Sequence, residues 1–234
     1  MSKDDGRFKR KESGYRDTIK KEDAKKGRYH LYVSYACPWA NRTLIMRSLK
    51  GLEDMIDISV VNYHMDGDWD FKEGPGVIQD PIFHAKDIKE IYEKAGRGDD
   101  EYLSVPILLD TETKKIVNNE SSEIIRIFNE AFNEAGANDK DFYPEHLREE
   151  IDSWNERIYE SVNNGVYKAG FAKTQEAYDE AVTEVFKVLD ELEVHLEDKD
   201  YLVGDTLTEA DIRLFVTLIR FDAAYVGHFK CNLK

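Results

Sequence analysis

"GRYHLYVSYACPWANRTLIM", residues 27–46, joins a strand pattern directly to a helix pattern. Its first half, residues 27–36, has the β-branched and aromatic content of a β-strand. Pro38 suits the first position of a helix, the apolar residues after it recur at helical spacing, and Gly51 supplies a stop. The stretch therefore predicts a strand and a helix with one cysteine, Cys37, at their junction.

A second strand follows the helix. The stretch "MIDISVV", residues 55–61, alternates apolar and polar side chains, as a half-buried strand does. The alternation predicts inward-facing Ile56, Ile58 and Val60, and outward-facing Asp57 and Ser59. Strand, helix and strand in this order form a βαβ unit, for which a right-handed crossover is the rule.

The chain after this unit completes an α/β domain. Residues 62–83 form a long connection rich in Gly, Pro, Asp and aromatic residues, and such long loops inside a domain are usually functional. The sequence then predicts a helix, two strands and a helix, at residues 85–95, 103–110, 114–119 and 120–132. The resulting order, β-α-β-α-β-β-α, is the thioredoxin arrangement.

The last third of the chain has a purely helical character. Apolar residues recur every three or four positions over residues 144–162 and 175–197. A final helix, residues 208–225, begins with a capping box in which Thr208 caps and Asp211 lies three residues on. We therefore predict an all-α carboxyl-terminal domain.

Charge and cysteine content limit the class of protein. The formal net charge of −15 over 234 residues argues against nucleic acid and anionic membranes as partners. Two cysteines give no disulfide framework, and no apolar run reaches membrane-spanning length, so we expect a cytoplasmic protein. Residues 1–28 carry eleven Lys and Arg against six Asp and Glu. The predicted parts are a charged extension, residues 1–28, a thioredoxin-like domain, 29–135, and an all-helical domain, 142–234.

Cys37 is the first candidate for chemistry. The thiolate is the nucleophilic form of cysteine, and a helix amino terminus favours it through amide donors and the positive end of the dipole. Ala40 stands where a redox pair has its second cysteine, so Cys37 must form a mixed disulfide that an external thiol resolves. The alternative is a buried, inert cysteine.

The tripeptide "SVP", residues 104–106, places a proline within a predicted strand, where it belongs at an edge or a bulge. With a cis bond between Val105 and Pro106, Val105 can offer its N–H and C=O to an extended peptide. A tripeptide thiol can then be held beside Cys37. An ordinary edge strand with a trans proline is the alternative.

The stretch "NNESSE", residues 118–123, opens a predicted helix. A carboxylate docks well on a helix amino terminus, where amide groups and a serine hydroxyl converge. Ser121 is therefore a candidate for binding an α-carboxylate, and Glu120 for binding the α-ammonium of the same amino-acid head group. A plain helix cap without a ligand is the alternative.

Two tyrosines are candidates in the helical part. Tyr167 lies in "NNGVYKAGFA" near the end of a helix, and Tyr225 lies in "FDAAYVGHFKC". Tyrosine can donate a proton or line an aromatic pocket, and amphipathic packing is the alternative for both. The six histidines show no metal-ligand spacing, so no metal is expected.

Seven stretches from residue 8 to the carboxyl end carry a family resemblance. They are "FKRKESGYRDTI", "GRYHLYVSYACPWANRTLIM", "GDWDF", "SVPIL", "IVNNESSEIIRIFN", "NNGVYKAGFA" and "RFDAAYVGHFKCN". Together they resemble the glutathione transferases, and more narrowly the glutathionyl-hydroquinone reductases, or xi class. The resemblance implies a thioredoxin-like glutathione-binding domain followed by an all-helical glutathione-transferase domain, in a homodimer.

The resemblance also implies an oxidoreductase with glutathione as co-substrate. Cys37 attacks the sulfur of a glutathionyl-hydroquinone thioether, glutathione stays disulfide-bonded to Cys37, and a second glutathione releases glutathione disulfide. Tyr167 matches the family's proton donor, and Tyr225 matches a tyrosine that favours the thiolate. The positions that match the family's glutathione-binding residues are Trp69, Ser104, Val105, Pro106, Glu120 and Ser121.

Two departures from the family pattern stand out. Tyr102 occupies a position where some relatives carry an arginine, so the partner of the glycine carboxylate of glutathione stays open, although Arg97 lies near in sequence. Relatives continue past "GHFKCNL" through further helices, one with a second tyrosine that assists the cysteine, whereas this sequence stops at Lys234. Either the chain is a truncated form or its pocket is open on that side, and uncovered apolar helix faces favour self-association.

Two other functions stay open at this point. An omega-like thioltransferase or dehydroascorbate reductase would use the same Cys37 on smaller substrates. A non-catalytic interaction module, as transferase-like domains form in other proteins, would use no cysteine chemistry at all.

Overall fold

The structure is a computed structural model that describes residues 5–64, 67–96 and 103–233 of the chain. These residues form two compact units. An α/β unit consists of Lys11–Asp141, and a helical unit consists of the described residues of Met1–Arg10 and Phe142–Lys234. The segment that the sequence sets apart as a charged extension, residues 1–28, is thus divided between the two units.

The α/β unit has the predicted order of elements. They are β1, Tyr29–Ser34; α1, Pro38–Leu49; β2, Ile56–Val61; α2, Ile88–Lys94; β3, Ile107–Asp110; β4, Lys115–Asn118; and α3, Ser121–Glu130. The strands form one sheet in the order β2-β1-β3-β4. β1 runs parallel to β2 and antiparallel to β3, which in turn is antiparallel to β4. The prediction of a thioredoxin-like domain is confirmed.

The junction between β1 and α1 has the predicted form. Pro38 is the first residue of α1, and Cys37 is its N-cap, with extended backbone angles of φ −80° and ψ 117°. At the other end Gly51 adopts a φ of +67°, which a residue without a side chain reaches at little cost. The helix therefore stops where the sequence places its stop.

The predicted alternation in β2 is wrong at Ser59, which is buried rather than facing outward. Its hydroxyl donates to the carbonyl oxygen of Gln79 over 3.1 Å, and it hydrogen-bonds the ring of buried His30 at 2.8 Å. A buried hydroxyl is tolerated because both partners satisfy it. Burial lowers the pKa of His30 to about 4, so this ring is neutral at physiological pH.

The long connection after β2 is organised by one buried carboxylate. Asp80 accepts a hydrogen bond from the hydroxyl of Tyr32 at 2.8 Å. It also accepts bonds of 2.9 to 3.0 Å from the backbone N–H groups of residues 82, 83 and 85. Nearby, the N–H of Ile88 donates to the carbonyl oxygen of Trp69 at 2.9 Å. These bonds fix the described part of the connection, which consists mostly of turns, bends and isolated bridges.

The helical unit confirms the predicted all-α class. Its α-helices are α4, Arg148–Ile158; α5, Gly165–Gly170; α6, Gln175–His195; and α7, Glu209–Leu218. The predicted capping box of Thr208 and Asp211 is formed. The last predicted helix is shorter than expected, since α7 ends at Leu218 and a π-helical turn, Phe221–Tyr225, follows it. Within the described ranges, no helix is both long enough and apolar enough to cross a membrane.

Candidate active site

Cys37 occupies the amino terminus of α1, where its backbone N–H and C=O groups are both hydrogen-bonded. Its N–H donates to the carbonyl oxygen of Ser34 at 3.1 Å, and its own carbonyl oxygen accepts from the N–H of Asn41 at 3.0 Å. The thiol donates to the carbonyl oxygen of Val105 at 3.5 Å. The residue keeps 8% of its surface exposed, whereas Cys231 keeps none. Of the two buried cysteines, Cys37 is therefore the one nearer to the surface.

Three influences act on the Cys37 sulfur, two that favour the thiolate and one that favours the thiol. The first backbone amides of α1 that carry a hydrogen are those of Trp39 and Ala40, because Pro38 has no N–H, and the helix dipole adds a positive end. Both effects favour the thiolate. The hydrogen bond from the thiol to the Val105 carbonyl favours the protonated form instead, because a thiolate cannot donate it.

The turn before β3 lies beside this cysteine. The peptide bond between Val105 and Pro106 is cis, as predicted. Val105 is buried, and its carbonyl oxygen is the group that meets the Cys37 thiol. Ser104 is half-buried, and its backbone is hydrogen-bonded to Tyr92. Of the three consecutive predicted site residues, Ser104, Val105 and Pro106, the middle one thus contacts the sulfur.

Glu120 and Ser121 lie at the amino terminus of α3. Glu120 is the N-cap, and its Oε1 atom accepts from the N–H and the hydroxyl of Ser122 at 3.0 and 2.9 Å. Its Oε2 atom accepts from the hydroxyl of Ser13 at 3.1 Å. The capping role that the sequence left open as an alternative is therefore present, and the half-buried carboxylate keeps further lone pairs for a ligand.

Arg42 is a residue of this site that the sequence analysis missed. It lies on α1, its side chain is buried, and its Nη1 atom donates to the hydroxyl oxygen of Ser121 at 3.4 Å. Its guanidinium carbon lies 4.6 Å from the ring centroid of Trp39. A buried cation at the amino terminus of α3 adds to the attraction that this helix end exerts on a carboxylate. No local pattern in α1 distinguishes this arginine from a solvent-exposed one.

Tyr92 joins the two halves of the site and was also missed. The hydroxyl of this buried residue of α2 donates to the Ser104 carbonyl oxygen at 3.0 Å. It accepts from the Ser104 N–H at 3.4 Å and from the Asn119 side-chain amide at 2.9 Å. One hydroxyl therefore ties the turn before β3 to the start of α3. Its partners are 12 and 27 residues away in sequence, so no local signal reveals the contact.

The remaining predicted residues lie elsewhere. Trp69 is half-buried in the long connection of the α/β unit, where its carbonyl oxygen accepts from Ile88. Tyr102, which stands where some relatives carry an arginine, and Arg97, which lies near it in sequence, are both outside the described residues. Among the described residues, no group of three His, Cys, Asp or Glu side chains comes together as metal ligands would.

The two predicted tyrosines meet in the helical unit. Tyr167 lies on α5, and Tyr225 ends the π-helical turn after α7. Their ring centroids are 6.2 Å apart at an interplanar angle of 62°. Phe229 packs edge-on against both rings at 5.2 and 5.1 Å. Tyr225 is buried and Tyr167 is half-buried, so Tyr167 keeps the more accessible hydroxyl-bearing ring.

Comparison with known proteins settles which family this fold represents. The family model of the glutathione S-transferase N-terminal domain matches residues 36–131, and that of the C-terminal domain matches residues 175–233. The chain belongs to the glutathione transferase family. The thioredoxin-like and helical units are the two domains of this transferase.

Three relatives place this transferase in the xi class. It is 55% identical over 234 residues to "Glutathionyl-hydroquinone reductase PcpF" of Sphingobium chlorophenolicum, covering 98% of this chain and 74% of the relative. The crystal structure of the glutathione-S-transferase Xi from Phanerochaete chrysosporium superposes with a TM-score of 0.96 at 53% identity, over 100% of this chain and 78% of that one. The glutathione-bound structure of YqjG from Escherichia coli K-12 gives a TM-score of 0.91 at 49% identity, over 94% of this chain and 76% of that one.

Proposed function

We propose that this transferase is a glutathione-dependent reductase that converts glutathionyl-hydroquinone thioethers to hydroquinones and glutathione disulfide. The observation that carries the proposal is the lone Cys37 at the amino terminus of α1, in hydrogen-bonding contact with Val105. The 55% identity to a glutathionyl-hydroquinone reductase supports the choice of substrate class.

The α/β unit offers groups that fit the glutathionyl part of the substrate. Glu120 accepts the α-ammonium of the γ-glutamyl residue, and the hydroxyl of Ser121, backed by Arg42, binds its α-carboxylate. Val105 pairs through its backbone with the cysteinyl residue, and its neighbours Ser104 and Pro106 shape that turn. Trp69 lines the site from the long connection, as the family resemblance implies.

The first chemical step forms a disulfide at Cys37. The thiolate attacks the sulfur of the thioether, an S–S bond forms, and the bond between sulfur and the aromatic carbon breaks. The electron pair of the broken bond goes to the aromatic carbon, which is thereby reduced. Tyr167 supplies the proton that this carbon needs, and the product leaves as the hydroquinone. The family resemblance implies that Tyr225 favours the thiolate form.

The second step restores the enzyme. The thiolate of a free glutathione attacks the glutathionyl sulfur of the mixed disulfide, and Cys37 leaves as the thiolate. Over the cycle two glutathione sulfurs are oxidised to one disulfide, while one aromatic carbon exchanges a C–S bond for a C–H bond. Glutathione therefore plays the part of the second cysteine, whose position in the chain is taken by Ala40.

The proposal is tested by steady-state assays on three substrates: a glutathionyl-hydroquinone, a glutathione mixed disulfide and dehydroascorbate. We expect turnover of the thioether, with one hydroquinone released for each glutathione disulfide. Turnover of only the other two would favour an omega-like thioltransferase. A Cys37 that resists alkylation at neutral pH would favour a non-catalytic module.

We further propose that the enzyme acts as a homodimer in the cytoplasm. Both cysteines are free, as is usual in a reducing compartment. Phe171 and Ile219 of the helical unit are 53% and 59% exposed, and apolar side chains so exposed favour contact between copies. Light scattering of the purified chain should give the mass of two copies, and a monomer mass at working concentration would contradict the dimer.

A further inference from the structure

The amino-terminal motif "FKR", residues 8–10, packs onto Tyr167 although the reaction proposed above makes no use of it. The guanidinium carbon of Arg10 lies 4.5 Å from the Tyr167 ring centroid, which is the distance of a cation–π contact. The same carbon lies 5.4 Å from the Phe8 ring centroid, and the Phe8 and Tyr167 rings stack at 6.3 Å. Arg10 is thus held against the ring face by two aromatic partners.

A hydrogen bond fixes the direction of the guanidinium. The Nε atom of Arg10 donates to the side-chain oxygen of Asn164 at 2.9 Å. Asn164 is buried and lies three residues before Tyr167, at the start of the same helix, α5. The contact with the ring and the contact with the helix therefore come from one planar group. A planar guanidinium can lie over a ring while its Nε–H donates a hydrogen bond at its edge.

Other ionisable groups lie on the elements that pack against Tyr167 or adjoin it in sequence. They are Lys168 on α5, Tyr178 on α6, and Tyr225, His228, Lys230 and Cys231 after α7. The amine of Lys168 is paired with the carboxylate of Glu160 at 2.6 Å, and the Tyr178 hydroxyl donates to the Lys230 carbonyl oxygen at 2.7 Å. Burial raises the pKa of Cys231 to about 11, so its thiol is uncharged at neutral pH.

We propose that Arg10 is a positioning residue that fixes the Tyr167 ring and strengthens its hydroxyl as a proton donor. The positive charge over the ring stabilises the tyrosinate relative to the phenol, so the phenol releases its proton more readily. The catalytic part of this inference depends on the proposed role of Tyr167 as the proton donor. The electrostatic part does not, because it concerns the titration of Tyr167 itself.

The direct test is an NMR titration of the full chain labelled at the tyrosine Cζ carbon. Tyr167→Phe assigns the resonance. Arg10→Gln should raise the titration midpoint of Tyr167 by roughly 0.5 to 1 pH unit, because the cation is lost. Arg7→Gln is the matched control, since Arg7 belongs to the same segment but pairs with Glu180 at 2.7 Å. An unchanged midpoint in Arg10→Gln, or an equal rise in Arg7→Gln, would overturn the proposal.

A second variant covers the case in which Arg10→Gln does not fold. Arg10→Lys keeps the charge and loses the Nε bond to Asn164, so its Tyr167 midpoint should stay within roughly 0.3 pH unit of the unsubstituted chain. A rise as large as that expected for Arg10→Gln would show that charge is not the cause. That result would also overturn the proposal.

Kinetics separate this inference from the function on which it rests. Arg10→Gln should lower kcat for the glutathionyl-hydroquinone roughly 5- to 20-fold and leave KM unchanged, because the proton transfer is affected and glutathione binding is not. If Tyr167→Phe reacts at the normal rate while the midpoint still depends on Arg10, only the catalytic role fails. If Tyr167→Phe reacts slowly but Arg10→Gln leaves the titration midpoint of Tyr167 unchanged, the inference fails and the proposed function stands.

Discussion

The carbonyl oxygen of Val105 accepts a hydrogen bond from the thiol of Cys37, and the same carbonyl is the group proposed to receive the backbone of glutathione. When the glutathione backbone donates to this oxygen, the Cys37 thiol loses it as an acceptor. Glutathione binding should therefore remove a bond that favours the protonated thiol. The helix amino terminus, which favours the thiolate, is unaffected.

The first prediction follows from this competition. S-methylglutathione, which cannot form a disulfide, should lower the midpoint of the pH dependence of Cys37 alkylation by roughly 0.5 to 1 pH unit. Cys231 is the internal control, because burial raises the pKa of its thiol and it should stay unmodified. A midpoint that is unchanged or higher with the ligand bound would exclude the competition.

The second prediction separates binding from chemistry. Cys37→Ser should abolish turnover and leave the affinity for S-methylglutathione within about threefold, because the proposed docking groups Val105, Glu120 and Ser121 are untouched. Calorimetry measures the affinity, and Cys231→Ser serves as the control with full activity. Loss of both activity and binding in Cys37→Ser would contradict the claim that binding and chemistry depend on different residues.

The third prediction concerns the Tyr92 hydroxyl. Tyr92→Phe leaves Ser104 and Asn119 without a shared partner, so we expect a loss of about 1–3 kcal/mol in the free energy of unfolding. The Kd for S-methylglutathione should rise several-fold, because both halves of the site shift. Tyr29→Phe, at a buried tyrosine whose ring packs on Phe132, is the control. Equal effects on Kd in both variants would refute a special role for Tyr92.

The fourth prediction concerns the proton donor. Tyr167→Phe should slow turnover of the thioether by roughly 10²–10⁴-fold if the hydroxyl is the general acid. Tyr178→Phe is the matched control, because it belongs to the same aromatic cluster and its hydroxyl bonds a backbone carbonyl. A change below about twofold in Tyr167→Phe would make this residue a packing residue.

The fifth prediction is a pH dependence of stability. Burial lowers the pKa of His30 to about 4, whereas an unfolded histidine titrates near 6.5. Between these values the unfolded chain binds more protons than the folded one, so the free energy of unfolding falls as the pH falls. The loss attributable to His30 should reach about 2–3 kcal/mol at pH 4.

Urea unfolding at pH 7 and pH 4.5 measures this dependence. His30→Gln should reduce the loss of unfolding free energy between pH 7 and pH 4.5 by the part that His30 causes. His146→Gln, at an exposed histidine, should leave that loss unchanged. The same slope in His30→Gln as in the unsubstituted chain would show that other groups cause the acid sensitivity.

Local signals in the sequence were enough to predict several helix boundaries, including both ends of the helix that carries Cys37. A proline after Cys37, a glycine at the helix stop and a capping box at Thr208 each act within a few residues. They predict helix boundaries because the forces that set those boundaries are themselves local. The turn at Val105 was predictable for the same reason.

Contacts between distant segments could not be read from the sequence. Ser59 was assigned to the wrong face because its partners, His30 and Gln79, lie 29 and 20 residues away. Arg42 and Tyr92 have ordinary helical surroundings in sequence, and only the fold brings them to Ser121 and Ser104. Polar groups that are buried by tertiary packing leave no periodic signal.

The central claim is that Cys37 carries glutathione as a covalent intermediate. The most direct measurement mixes the enzyme with a glutathionyl-hydroquinone in the absence of free glutathione and locates adducts by peptide mass spectrometry. We expect glutathione on Cys37, none on Cys231, and one hydroquinone released per modified chain. Release of hydroquinone without an adduct on Cys37 would contradict it.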